Sequence, residues 1–174
     1  TASFRADDLM FFNKVLDAAS VSALYEEMLE KIEGTASEDG GEDTQADRTL
    51  SQLKGYRTYY NDFENGLGDA TVVGSGDVEN VEDERFGSVY HNATGELGVR
   101  KNYLLLPSDT IANAVTAGND EISVGFWVNV ADATNYWFSP MFMAYGDAPS
   151  ETGNSWPMLA LQSRLLAQVN CAGW

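Results

Sequence analysis

Between Ile122 and Val130 the apolar residues Ile122, Val124, Phe126, Val128 and Val130 alternate with Ser123, Gly125, Trp127 and Asn129. A period of two places all five apolar side chains on one face of an extended strand. A helix would scatter the same residues around its circumference. This run therefore predicts a half-buried β-strand, and it needs other strands to pair with.

Those strands are visible on both sides of it. Tyr56 to Glu64 is rich in aromatic and β-branched residues and ends at Asn65-Gly66, a strong turn pair. Ala70 to Gly74, Ser88 to Tyr90 and Tyr103 to Leu106 are short apolar runs, the last stopped by Pro107. Ser139 to Tyr145 and Pro157 to Leu161 read as further strands, and Arg164 to Asn170 as a strand or a helical turn. Ser75 to Glu84 reads as a polar loop. Ser108 and Asp109 are suitable caps for a helical turn running to Val115.

The first 54 residues have a different texture. Leu9, Phe12, Leu16, Ala19, Ala23 and Leu24 recur mostly three or four apart, with Met28 and Ile32 continuing the stripe. The spacing predicts a helix over about 6–33. Asp7 and Asp8 sit at its start, Glu27 and Lys31 are in favourable i,i+4 order, and Ser20-Val21-Ser22 is a weak point. An acidic, glycine-containing link at 38–43 follows, and then a second helix over about 44–54. The expected organisation is a helical segment with an acidic linker over 1–54 and a β-sandwich over 55–174.

The chain carries 27 acidic residues against 10 Lys and Arg, for a net charge of −17. That balance argues against nucleic acid, which needs clustered basic residues, and against anionic membrane surfaces. No run approaches a membrane-spanning length. Cys171 is alone, so neither an internal disulfide nor a Cys/His zinc site is available.

From about Asn61 onward the chain resembles the laminin-G-like, concanavalin A-like jelly-roll family. Asp62-Phe63-Glu64-Asn65-Gly66 resembles the family's opening strand and turn, and Asp69-Ala70-Thr71-Val72 its next short strand. Arg85-Phe86-Gly87-Ser88-Val89-Tyr90 resembles its Phe-Gly strand, and Tyr103-Leu104-Leu105-Leu106-Pro107 its Tyr-apolar-apolar-Pro strand. Glu121 to Val128 resembles its long central strand and is the most specific piece. The resemblance covers about two-thirds of the chain and about the first half of the family domain. The family's later hairpin and closing strand have no counterpart here. The implied fold is mainly β: an antiparallel jelly-roll sandwich, incomplete in this chain, with an added N-terminal helical segment. A companion chain or further segment is expected to complete it.

The resemblance also implies a function outside the cell: recognition of a glycan or an extracellular protein, on a secreted, cell-surface or periplasmic molecule. Sugars pack their C–H faces on flat rings, and the best-placed rings are Tyr136, Trp137, Tyr145 and Trp156. Relatives carry a structural Ca²⁺ near the first strand, where Asp62 and Glu64 stand. Two acids fall short of the six to eight oxygens that Ca²⁺ takes. No Glu-x-Asp-x-x-Glu strand, the signature of the sandwich hydrolases, is present, and His91, the sole histidine, has no nucleophile motif beside it, so no catalytic residue is assigned. The rival readings are a glycoside hydrolase or its accessory domain, with catalytic acids outside this chain, and a structural or protein-interaction module.

Overall fold

Asp7, Asp8 and the apolar run behind them form a strand, not the start of a helix. In the computed structural model, β1 spans Phe4–Phe12 and helix α1 begins only at Ala18, running to Glu33. The structure describes residues 3–33, 45–82, 86–92, 102–117, 121–130, 141–142, 159–161 and 167–169. The expected helix misread a physical signal. Leu9, Met10, Phe11 and Phe12 are 6%, 2%, 0% and 1% exposed, so both faces of the strand are covered. A strand buried on both faces reads as a continuous apolar run, which a helix pattern can also accommodate.

Helix α1 is started by Asp17 instead. Its Oδ1 accepts the Ser20 backbone N–H at 2.8 Å, and its carbonyl accepts the Val21 N–H at 3.0 Å. This is an N-cap, so Ser20, Val21 and Ser22 lie in the helix's first turns, not at a break. The Ser20 backbone bond, reinforced by the Ser20 hydroxyl, holds the Asp17 carboxyl below the usual aspartate range. A lowered value in the folded state adds stability above the unfolded carboxylate range, and that stability is lost as pH falls through the folded value. Asp17→Ala is therefore expected to melt at a lower temperature than the parent at neutral pH. The gap should close in strong acid, and thermal melts at both pH values check it.

Helix α2 spans Gln45–Tyr56 and hands directly to β2, Arg57–Asn61. Lys54 on α2 lies 3.1 Å from Glu27 on α1, an exposed pair that ties the two helices together. Further along lie β3, Thr71–Val73, and β4, Gly76–Asn80. Then come β5, Ser88–Asn92, and β6, Tyr103–Leu105. Helix α3, Thr110–Ala117, precedes β7, Ser123–Val130. The last described elements are β8, Met141–Phe142, β9, Leu159–Leu161, and β10, Ala167–Val169.

The described chain is mainly β, and the strand pairings among the described residues are antiparallel. β1 is the hub of a five-stranded sheet. β7 pairs along one side of it, while β5 pairs with Phe4–Ala6 and β2 with Leu9–Phe12 on the other. β4 extends the sheet beyond β5. β1 thus pairs with strands that all lie beyond the expected boundary at residue 55, so the first strand of the N-terminal segment is the centre of the sheet. β4 replaces the polar loop expected at 75–84. Its acids, Asp77 and Glu79, flank Val78, which joins the core. A short acidic strand at a sheet edge is a common guard against edge-to-edge pairing, and it carries little apolar signal. The other strands from residue 57 onward fall within or close to their expected runs.

A β-bulge organises the hub. Asp7 pairs with Trp127 and Met10 with Gly125, so Asp8 and Leu9 together face one residue of β7. Asp8 has φ 50°, a left-handed conformation that Asp tolerates better than most residues. The extra residue resets the alternation. Phe4, Ala6, Leu9 and Phe11 all reach one core, with Phe63, Tyr90, Val124 and Phe126. Met10 and Phe12 reach the other, with Leu53, Leu16, Leu24 and Met28 from the helical side. The sheet therefore lies between two layers: α1 and α2 on one face, and the β3–β6 pair with α3 and the Phe63 turn on the other. β8, β9 and β10 form a separate three-stranded sheet.

Candidate functional site

The helical face of the sheet changes character along β1. On β1, Met10 and Phe12 meet the helices, whereas Arg5 and Asp7 share the same face beyond the bulge. Register then builds two rows across the strands. In one, Asp77 of β4 pairs with His91 of β5, His91 with Arg5 of β1, and Arg5 with Asn129 of β7. In the other, Asp7 pairs with Trp127, with Glu79 two residues from Asp77 along β4. Residues two apart on a strand are about 7 Å apart on the same face, and strands lie about 4.8 Å apart. Val89 of β5, which pairs with Glu79 and is 3% exposed, stands between Glu79 and Asp7, so the polar residues form a patch around one buried apolar side chain.

Three side chains of the patch meet at Glu79. Arg5 Nε donates to Glu79 Oε1, and His91 Nδ1 lies 3.4 Å from Glu79 Oε2. The Arg5, Glu79 and His91 side chains are 48%, 33% and 29% exposed, so the network is reachable from solvent. Glu79 orients both partners and leaves the remaining guanidinium donors of Arg5 available for a planar or hydroxyl-rich ligand.

Toward the helices the patch becomes more buried and aromatic. Asp7 and Asp8 are 5% and 3% exposed. Asp7 Oδ1 accepts the Asp8 N–H at 2.8 Å, and Asp8 Oδ1 accepts the Tyr60 hydroxyl at 2.7 Å. Burial, and then the bond to Asp8, push ionisation of the Tyr60 phenol far above its ordinary value, so it stays a donor. The Arg57 guanidinium stacks 4.3 Å from the Tyr60 ring centroid. Trp127 packs between Tyr25 of α1, centroids 5.8 Å apart, and Phe86, 6.3 Å apart. Among the described residues, Trp127 Nε1 is a buried donor without a hydrogen-bond partner.

Tyr136, Trp137, Tyr145 and Trp156 lie outside the described residues. Asp62 and Glu64 are described, and both are engaged by backbone amides. Asp62 Oδ1 accepts the Glu64 N–H at 3.3 Å, closing a local turn. The Glu64 carboxylate accepts the Ser88 N–H at 3.3 and 3.4 Å, tying the first turn to β5. A Cβ at Gly87, which has φ 58°, would overlap that carboxylate. Among the described residues, no group of three or more His, Cys, Asp or Glu is arranged to hold a metal ion. Calcium bound through Asp62 and Glu64 requires further oxygens from outside those residues.

Arg5, Asp7 and Glu79 escape the sequence reading because β1 mimics a helix and β4 a loop, and Trp127 and Asn129 because their strand neighbours are then missing. The signal was present in period-two form: Arg5 and Asp7, Asp77 and Glu79, Trp127 and Asn129 each stand two apart. No described helix is long and apolar enough to cross a membrane. No protein-family model matches the chain, and neither the curated proteins nor the solved structures contain a significant match to it.

Proposed function

We propose that the chain is an extracellular recognition module that binds glycans without transforming them, on the polar half of its five-stranded sheet. The proposed frame is a concanavalin A-like jelly-roll sandwich, as the resemblance from Asn61 onward implies. The observation that carries the reading is the pair of cross-strand rows on one sheet face, with Glu79 bonded to Arg5 and 3.4 Å from His91, and Trp127 opposite Asp7. Such a surface suits sugars: a ring packs C–H groups, while carboxylate, guanidinium and amide groups bond hydroxyls. Mixed charge also fits a neutral polyol better than a polyanion, which the net charge of −17 would repel.

A glycan array followed by calorimetry on the full chain tests the reading. Binding to at least one polysaccharide is expected, with no release of reducing sugar. Trp127→Ala should weaken it at least tenfold, about 1.4 kcal/mol, with the fold retained. Trp137→Ala and Trp156→Ala run beside it decide between the sheet face and the expected aromatic residues. Failure to bind any glycan would defeat the proposal.

A further inference from the structure

The outer surface of α1 is divided lengthwise into stripes. At 3.6 residues per turn, Ala18, Val21, Tyr25 and Leu29 fall on one line, spaced three, four and four apart. Val21 and Tyr25 are each 52% exposed, and Ala18 is exposed as well. Val15, just ahead of the helix, is 58% exposed. Beside this line runs a second, Glu26, Glu30 and Glu33, spaced four and three apart and all exposed. Ala23, Leu24 and Met28 turn the other way, into the fold.

Among the described residues nothing in the fold accounts for the two stripes. Glu27 pairs with Lys54, but no described basic side chain pairs with Glu26, Glu30 or Glu33. The apolar stripe does not end at the helix, because the Tyr25 ring continues onto Trp127 of β7. A half-exposed Val–Tyr line beside a carboxylate line has a defined complement.

We propose that this face of α1 docks a basic amphipathic helix of another protein, with an apolar ridge on Val21 and Tyr25 and a Lys/Arg ridge against Glu26, Glu30 and Glu33. Charge selects this occupant. A second copy of the chain would bring a matching carboxylate stripe and another net charge of −17 into the contact. An anionic lipid surface is repelled for the same reason. A basic helix gains both the steering of the acidic surface and the apolar burial. The inference does not rest on the glycan-binding reading, although the Tyr25 ring touches Trp127 of its second row.

The test uses the full chain and an amphipathic helical peptide of leucine and lysine, at physiological salt. The controls are a scrambled peptide of the same composition and a leucine–glutamate counterpart. The leucine–lysine peptide should bind, and the scrambled and acidic peptides at least tenfold more weakly. The double variant Val21→Ser/Tyr25→Ser and the triple variant Glu26→Lys/Glu30→Lys/Glu33→Lys should each lose at least tenfold. Circular dichroism checks that the variants keep the parent fold, as exposed positions allow. Equal binding of the scrambled peptide, undiminished binding by both variants, or no binding at all overturns the proposal. So does sedimentation showing a dimer that Val21→Ser/Tyr25→Ser dissolves, since the occupant is then a second copy.

Discussion

Deletion of Asp8 is expected to abolish cooperative folding, whereas Asp8→Asn should leave it nearly intact. The contrast follows from parity. With the bulge, Phe4 and Ala6 share a face with Leu9 and Phe11. Without the extra residue, every side chain before it turns to the opposite face. Phe4 and Ala6 would leave the core, and Arg5 and Asp7 would enter it beside Tyr90 and Phe63. An uncompensated buried charge costs several kcal/mol, and two approach the whole stability of an ordinary domain, about 5–15 kcal/mol. The alternative, a slip of the strand, sacrifices the pairing with β5 and half of that with β7. Asn at position 8 avoids both outcomes. It tolerates the left-handed conformation at φ 50° and still offers an Oδ1 to the Tyr60 hydroxyl. Its cost should be about 1 kcal/mol or less. Urea titrations followed by far- and near-ultraviolet dichroism separate the two. A deletion variant that unfolds as cooperatively as the parent, at the same midpoint, would show that the bulge does not set the register.

The same bulge explains which parts of the fold could be read in advance. β7 was legible because one of its faces is apolar and the other polar, which leaves a clean period of two. β2, β3, β5 and β6 were legible from β-branched and aromatic residues bounded by glycine and proline. β1 was not, for two reasons that compound each other. Leu9 to Phe12 is covered on both sides, which erases alternation, and the bulge shifts the phase between Phe4 and Leu9. The residues on either side then mimic a helical spacing, and Asp7 and Asp8 mimic the acids of a helix start. β4 failed for the opposite reason, since an acidic edge strand contributes only Val78 to the core. The candidate site inherits both failures. Its Arg5 and Asp7 come from β1 and its Glu79 from β4, so no reading that lacks those strands can bring them to His91 and Trp127. Glu64 is legible as an acid near the first strand, and there its carboxylate accepts the Ser88 backbone N–H.

Stability should fall steeply in alkali, because the core holds phenols that must stay protonated. Tyr90 is 2% exposed, packs against Phe4 and Phe63, and donates its hydroxyl to Asn92 Oδ1 at 2.8 Å. Burial pushes its ionisation well above the ordinary phenol value. Tyr59 and Tyr60 are shifted the same way, chiefly by burial, and Tyr60 also by the Asp8 carboxylate. A raised folded value keeps its full stabilisation below the unfolded value, near pH 10. Above that, the unfolded chain releases a proton that the fold retains, so stability declines as pH rises toward the folded value. Tyr90 alone should remove about 1.4 kcal/mol per pH unit in that window. The other two act in the same direction but more weakly, being nearer solvent. Urea midpoints measured from about pH 8 to about pH 12 should therefore drop through the upper half of the range. Tyr90→Phe separates the phenol from the ring. It should cost about 1 kcal/mol at neutral pH for the lost bond to Asn92, then flatten the alkaline slope enough to become the more stable protein at the top of the range. Phenolate absorbance adds a second readout, because Tyr90 should ionise only as the chain unfolds. An alkaline slope unchanged in Tyr90→Phe would mean that this hydroxyl is not sealed between the two layers, and the packing of β5 against the Phe63 turn would have to be redrawn.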